Sequence, residues 1–273
     1  MTYATMMVHL DAGRSNAAVL DVAAAMAAQY EAQVIGIAAC QPMQLSACEG
    51  YVDAALAVAV RDIVDDELQH VEAEFRAHEA LRPHVLEWRC MNALDPIAHV
   101  VAIAARSADL VITSAGSGHL GDQAKHADAG ELIVRAGRPV LVVPETAAPS
   151  AFETVMVAWN DTRECRRAIL DALPVLRHAE RVIVVELTSD TGSAELRVDD
   201  VVAWLARHDV SATKIVANAH GSHVEHLALI AVEEAVDLIV GGAYGHNRLR
   251  EWAFGGVTSD LLLRADRCAM LSH

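Results

Sequence analysis

The chain has 273 residues, of which 53% are hydrophobic and only 4% aromatic, and its formal net charge at pH 7 is -16. This acidic balance, without a lysine or arginine run, argues against nucleic-acid binding, which depends on neutralising phosphates. Five scattered cysteines without CxxC spacing, no basic leader and no apolar run of about 18 residues predict a cytoplasmic protein without a membrane span.

Short apolar runs alternate with helical patterns along the first half of the chain. The apolar seam of Val60, Val64, Leu68, Val71 and Phe75 predicts a long helix between the second and third strands. Strand and helix in alternation predict βαβ units with right-handed crossovers and a parallel sheet. The predicted strands are residues 4–10, 34–39, 85–90, 109–113 and 139–143.

The second half repeats this pattern. "MVHLDAGRSNAAVLD" becomes "MVAWNDTRECRRAILDA", so that Asp11 falls on Asn160, and "ADLVITSAGSG" matches "VDLIVGGAYGH", so that Asp109 falls on Asp237. The first copy carries roughly twenty extra residues between its second and fourth strands, and we expect them to lengthen the helix that carries the apolar seam, because repeats share one architecture. The predicted strands are residues 154–159, 182–187, 213–218, 237–241 and 268–271.

These patterns predict an α/β fold of two tandem Rossmann-like domains, each a doubly wound, five-stranded parallel sheet. The first domain is predicted to span residues 1–145 and the second residues 152–273. The segment "PETAAPSAFE" between them, with its two prolines, has the composition of a linker.

A glycine-rich segment follows the fourth strand of the second half. Two residues separate Gly242 from Gly245, nine separate Gly245 from Gly255, and Gly256, Val257 and Thr258 then lead into a predicted helix. Glycine lets a phosphate approach the backbone, and a helix N-terminus attracts anions. In open parallel sheets, ligands lie beyond the carboxyl ends of the strands. The segment therefore predicts a phosphate site, with turn and cap glycines that hold no ligand as the alternative.

The spacing G-x2-G-x9-G-(S/T), after an Asp-Leu-Ile-Val strand, resembles the signature of the universal stress protein family, and the whole chain is similar to a tandem member. The resemblance implies a cytoplasmic stress-response protein that binds ATP or another adenine nucleotide in its second half, with magnesium as an open point. Asn160 would then lie near the ribose or phosphates and Leu187 would line the adenine pocket. The phosphate loop would consist of Gly242, Gly245, Gly255, Gly256, Val257 and Thr258.

The same resemblance implies that the last strands of the two halves, "RPVLVVP" and "CAMLSH", pair within one chain as a pseudo-dimer. It leaves open whether two such chains also form a homodimer. Nucleic acid and membrane are not expected partners.

The sequence departs from the family pattern in both halves. In the second half Asn160 replaces an acid, and Gly256 stands where the family often has serine. The first half keeps the acid, Asp11, but has Ser114 and Ser117 in place of the first two glycines. Its Asp122 and Asp128 put negative charge where a phosphate would lie. We therefore expect the second half to bind the nucleotide and the first half to serve as a structural partner.

No catalytic or metal-binding residue is predicted. The histidines of "HGSHVEH" (His220, His223 and His226) read as solvated residues at a helix start, since no HExxH or cysteine pairing accompanies them. We interpret Cys165 as an inert thiol and Trp159 as a core residue. A nucleotide-free scaffold is the alternative function, and a slow ATPase is disfavoured because Asn160 replaces the acid.

Overall fold

In a computed structural model of the chain, the described residues are 2–41, 54–92, 94–115, 126–147, 152–218, 222–243 and 267–273. Among the helices of these ranges, none combines the length and the apolar character that crossing a bilayer would require.

Ten strands of the described ranges form one sheet, in the order β3-β2-β1-β4-β5-β10-β9-β6-β7-β8. Each lies within two residues of its predicted bounds, because apolar runs of this length between polar turns favour buried strands. The strands are β1 (Thr5–His9), β2 (Gln33–Cys40), β3 (Val85–Asn92), β4 (Leu110–Ser114), β5 (Val140–Val143), β6 (Thr154–Trp159), β7 (Arg181–Thr188), β8 (Ala212–Asn218), β9 (Leu238–Gly242) and β10 (Cys268–Ser272).

The two halves of the sheet have the same topology. Within each half, five parallel strands follow the doubly wound order third, second, first, fourth, fifth. The halves are joined where β10 pairs with β5 in the antiparallel direction, with Met270 opposite Leu141. The predicted fold class and the predicted pairing of the last strands within one chain are both confirmed. The domain bounds 1–145 and 152–273 stay a prediction.

Helices cover both faces of the sheet. Residues from α1, α2, α5 and α6 share one apolar core that runs across both halves. The opposite face is covered by α3 and α4 in the first half and by α7 in the second. The described helices are α1 (Ala17–Tyr30), α2 (Ala54–Ala77), α3 (Ile97–Ala104), α4 (Ala129–Ala136), α5 (Arg163–His178), α6 (Thr191–Ala206) and α7 (His223–Glu233).

The extra residues of the first half lie between its second and third strands, within the predicted interval between the second and fourth. Helix α2 has 24 residues, whereas its counterpart α6 has 16. Val64, Leu68, Val71 and Phe75 of the predicted seam are buried.

The matched aspartates Asp109 and Asp237 have the same structural role. Asp109 Oδ2 accepts hydrogen bonds from the amides of Ala4 and Thr5 at 2.9 and 3.0 Å. Asp237 Oδ2 accepts from the amide of Thr154 at 2.9 Å. Each aspartate thus holds the start of the neighbouring first strand of its half, which the repeat alone could not reveal.

Polar side chains reinforce the joint between the halves. The Tyr3 hydroxyl of the first half donates to the carbonyl oxygen of Asp171 in α5 at 2.8 Å. The ring of Tyr30 packs edge-on against His178, with ring centres 5.1 Å apart. Helix α5 of the second half is therefore held by residues of the first.

Candidate functional site

Each half of the sheet has a topological switch point at its carboxyl edge, between its first and fourth strands. After β1 the chain turns to the face of α1, whereas after β4 it turns to the face of α3 and α4. Such a reversal separates the two loops and creates the place where ligands bind in open α/β sheets. We call the region around Asp11 and Ser114 the first crevice, and the equivalent region around Asn160 and Gly242 the second crevice.

Protein side chains bridge the first crevice. Asp11 is only 3% exposed, and the hydroxyl of Ser114, at the end of β4, donates a hydrogen bond to its carboxylate. His126 Nδ1 lies 3.2 Å from Asp11 Oδ1, within ion-pair distance. The amide of Asp11 donates to Asn16 Oδ1 at 2.9 Å. Asp11, the acid that the first half retains, is therefore contacted by side chains of the same half of the chain.

Electrostatics keep this acid ionised. Burial acts to raise the pKa of Asp11, but the hydrogen bonds from His126 and from the Ser114 hydroxyl hold that pKa below its usual range. His9 is 1% exposed, and its Nδ1 lies 3.0 Å from Thr113 Oγ1. Burial lowers the pKa of His9, so its neutral form is favoured.

The helix that follows the first crevice is also capped by its own acid. Asp128 is the N-cap of α4, and its Oδ1 accepts a hydrogen bond from the amide of Glu131 at 2.7 Å. This carboxylate occupies the helix terminus at which an anion could otherwise bind. Asp122 and Ser117 lie outside the described residues.

The second crevice has a different set of residues. Asn160, directly after β6, is exposed, Gly242 ends β9, and Leu187 lies half-buried near the end of β7. These three predicted site residues therefore lie along one edge of three neighbouring strands. The predicted loop residues Gly245, Gly255, Gly256, Val257 and Thr258 lie outside the described residues, and their role stays a prediction.

Gly242 allows the first turn of α5 to approach the end of β9. A Cβ at this position would lie 2.6 Å from the carbonyl carbon of Glu164 and 2.8 Å from its Cβ, and would also meet the amide nitrogen of Cys165. These are contacts that real Cβ atoms do not make, and two of the three atoms belong to the backbone. Close packing thus accounts for glycine at this position without a ligand, a reason that the sequence did not reveal.

The N-terminus of α5 therefore lies beside the second crevice. The Thr162 side chain caps it by accepting from the Cys165 amide at 3.3 Å. Glu164 in this turn is 5% exposed and pairs with Arg163. Burial acts to raise the pKa of Glu164, but the hydrogen bonds from Arg163 and from its own amide hold the pKa below its usual range.

Sequence reasoning missed a charged residue in the apolar strand β7. Glu186 is 6% exposed, and its Oε1 accepts from Arg197 Nη2 of α6 at 2.7 Å. Glutamate is seldom buried unless it is paired, so its place within "RVIVVELT" was an available signal.

The remaining candidates have structural positions. Cys165 is buried and its thiol lies 3.7 Å from the carbonyl oxygen of Ala158, and Trp159 is buried in the shared core. His223 and His226 belong to the start of α7, whereas His220 is not described. No group of three histidine, cysteine or acidic side chains within the described ranges is arranged to hold a metal ion.

Solved structures resemble the chain over its whole length. A universal stress protein from Archaeoglobus fulgidus DSM 4304 matches 98% of this chain and 95% of its own, with a TM-score of 0.72 at 13% identity. The chain has the fold of the universal stress proteins. No protein-family model and no curated protein sequence matches it.

Two further solved structures cover the chain almost completely. A functionally unknown protein from Pseudomonas aeruginosa PAO1 matches 99% of this chain and 92% of its own, with a TM-score of 0.60 at 14% identity. A protein from Pseudomonas aeruginosa UCBPP-PA14, provisionally assigned as a universal stress protein, covers 99% and 93%, with a TM-score of 0.59 at 16% identity. The tandem arrangement of this fold therefore extends over the full chain.

Proposed function

We propose that the second half binds an adenine nucleotide, ATP or its ADP or AMP form, in the second crevice. The nucleotide would regulate a cytoplasmic stress-response protein that is not an enzyme. The glycine spacing after β9 and the universal stress protein fold support this proposal. The first half would act as a structural partner that keeps α5 in place.

The contrast between the two crevices carries the proposal. In the first, Asp11 is buried and bonded to Ser114, and an acid caps the following helix. In the second, the equivalent residues are an exposed amide, Asn160, and a glycine, Gly242. A serine–aspartate bond cannot form between them, so this crevice is not bridged in the same way. An anionic ligand would also avoid the carboxylate that occupies the first crevice.

The described residues suggest how the nucleotide would be held. Amides at the N-terminus of α5 and of the predicted loop would attract the phosphates, because helix N-termini carry partial positive charge. The Asn160 amide would donate to a ribose or phosphate oxygen, and Leu187 would contact the base. Magnesium prefers carboxylate ligands, and Asn160 supplies none. We therefore expect binding to persist in EDTA.

Thermal unfolding with added nucleotide tests the proposal. ATP, ADP or AMP should raise the melting temperature of the wild type, since a ligand that binds only the folded state stabilises it. The double variant Gly245→Asp, Gly255→Asp should lose the shift, because two carboxylates would repel the phosphates. Ser117→Asp, the matched change in the first half, should keep it. An unchanged melting temperature with all three nucleotides would refute the proposal.

A nucleotide-free scaffold is the second candidate, and one observation favours it. The close approach of α5 explains glycine at position 242 without any ligand. Mass spectrometry of small molecules released from freshly purified, denatured protein distinguishes the two functions. A bound adenine nucleotide supports the first function. The absence of both a released nucleotide and a thermal shift supports the scaffold. Turnover of labelled ATP that is lost in Gly255→Asp would instead indicate an ATPase.

A further inference from the structure

Near their carboxyl ends, the first and fourth strands of each half carry a pair of neighbouring residues that differs between the halves. In the first half, His9 and Thr113 follow the last registered pair of β1 and β4. Their side chains are in contact, with His9 Nδ1 3.0 Å from Thr113 Oγ1. In the second half, Ala158 of β6 is registered with Gly241 of β9. Two side chains in contact thus face two small residues at the equivalent position of the other half.

The sequence repeat makes the two pairs counterparts. His9 lies two positions before Asp11, and Ala158 lies two positions before the matched Asn160. The partner residues on β4 and β9 each lie four positions after the matched aspartates of their halves. Because side chains alternate along a strand, His9 shares the face of Met7, in the core beneath α3 and α4. Ala158 packs into the core beneath α7, which lies on the same face of the sheet.

The place beside these pairs is filled with side-chain atoms in the first half but not in the second. His9 and Thr113 are each only 1% exposed, and His9 Nδ1 lies 4.0 Å from Asp11 Oδ1, so the imidazole ring adjoins the first crevice. Ala158 is only half-buried, although β6 lies inside the sheet. A Cβ on Gly241 would lie 3.9 Å from the Cβ of Ala158, so the glycine leaves room on this same face.

The position and the lining of this place suit the base of the nucleotide. Leu187, the proposed base contact, packs with Ala158 into the same core, and Asn160 follows Ala158 by two positions. Ala158, Gly241 and Leu187 supply only apolar side-chain atoms and backbone. Phosphates need amides or cations, whereas a flat ring gains from burial against apolar atoms. In the first half the equivalent place already holds a flat ring, the imidazole of His9.

We infer that His9 and Thr113 fill, in the first half, the place that the nucleotide base takes in the second, and that this pair determines which half binds. The inference rests on the proposed function and adds a determinant to it. Ser114 and Asp11 are the counterparts of residues proposed to contact the phosphates and the sugar, whereas His9 and Thr113 exclude the base.

Transfer of the pair to the second half tests the inference. The double variant Ala158→His, Gly241→Thr copies both side chains, and Ala158→His alone supplies the ring without its partner. In isothermal titration calorimetry, each should bind ATP about tenfold or more weakly than the wild type, because the packing has to shift to accommodate the added ring and the base together. Inorganic triphosphate, which has no base, should bind the variants and the wild type with the same affinity.

Ala212→His is the matched control. Ala212 is also a half-buried alanine of a strand in the second half, but it begins β8, at the amino edge and away from the second crevice. This variant should keep the ATP affinity within about twofold, the usual range for a substitution remote from the site. Thermal unfolding without ligand verifies that each variant is folded.

The reverse change should open the first half. His9→Ala, Thr113→Gly removes the ring and its partner, and adenosine is the probe because it lacks the phosphates that the Asp128 carboxylate would repel. The folded variant should bind two molecules of adenosine per chain, whereas the wild type should bind one. Where the double variant is not folded, His9→Ala alone carries this measurement.

The outcomes separate the inference from the function on which it rests. Equal ATP affinity of the wild type and both Ala158 variants would overturn the inference while nucleotide binding stands. A loss that inorganic triphosphate or Ala212→His shares equally would also overturn it, because the added ring would then act on the fold and not on the base. One adenosine per chain in the folded His9 variants would show that the pair does not determine which half binds. Failure of the wild type to bind either ATP or adenosine would overturn the proposed function, and the inference with it.

Discussion

The Ser114 hydroxyl donates a hydrogen bond to the Asp11 carboxylate, and this bond joins the ends of β4 and β1 in the first half. The counterparts in the second half are Gly242, which has no side chain, and the exposed Asn160. The two halves share one topology but differ at the place where their fold binds ligands. This difference suggests a division of roles, with a bridged crevice that stabilises the chain and another left for a ligand.

Asp11 and Asn160 are counterparts, and exchanging their side chains should change the stability of the protein by different amounts. Asp11→Asn should lower the free energy of unfolding by about 1–3 kcal/mol, since it removes a buried charge that His126 and Ser114 engage. The reverse change, Asn160→Asp, should stay within about 0.5 kcal/mol because the position is exposed. Urea unfolding at pH 7 measures both. Equal losses of unfolding free energy in the two variants would show that the contacts of Asp11 do not stabilise the fold.

The stability of the chain should fall in mildly acidic solution because of His9. In the unfolded chain His9 takes up a proton near its ordinary pKa of 6.5, whereas burial lowers the pKa of His9 in the folded protein. Below pH 6.5 the unfolded state therefore binds more protons, and the free energy of unfolding decreases until the folded pKa is passed. Urea unfolding between pH 7.5 and 5 measures this slope.

Two histidine variants identify the source of that slope. His9→Asn removes the buried imidazole and should flatten the dependence on pH. His223→Asn, at an exposed position, should leave it unchanged. A slope that is identical in the wild type and His9→Asn would contradict the assignment to His9.

Adjacent glycines at the end of β9 should respond differently to alanine. Gly242→Ala should lower the free energy of unfolding by about 1–3 kcal/mol, because its Cβ would force the first turn of α5 away from β9. At Gly241 the nearest atom to a Cβ would be Leu271 Cδ2 at 3.7 Å, an ordinary contact. Gly241→Ala should therefore change stability by less than about 1 kcal/mol. If both substitutions are tolerated alike, the packing of α5 does not require glycine.

The two halves should unfold together. They share one sheet, through the pairing of β5 with β10, and one apolar core. Unfolding of one half would therefore expose the core of the other half and break the sheet. Differential scanning calorimetry should show a single transition, and Tyr3→Phe should lower its temperature because the bond to the Asp171 carbonyl is lost. Two separated transitions, with only one shifted by Tyr3→Phe, would show independent halves.

The strands could be predicted from the sequence because each depends on a local apolar run. The pairing of β5 with β10 followed from the resemblance, and the position of the extra residues in the first half from the repeat. These features depend on neighbouring residues or on comparison of the two copies. The parallel order then follows from short, right-handed connections.

The contacts within the crevices could not be predicted in the same way. His126 reaches Asp11 across 115 positions of the chain, and no periodicity connects the two residues. The conflict between a Cβ at Gly242 and the backbone of Cys165 depends on where the first turn of α5 lies, which composition does not fix. Glu186 was visible as an acid in an apolar strand, but its neighbour Trp159 follows only from strand register.

Stoichiometry of nucleotide binding tests the central claim most directly. Isothermal titration calorimetry of the full chain with ATP should give one site per chain, removed by the double variant Gly245→Asp, Gly255→Asp and kept in Asp11→Asn. A value of two sites, or a single site that is lost in Asp11→Asn, would place binding in the first crevice. Either result would contradict the division of roles between the two halves.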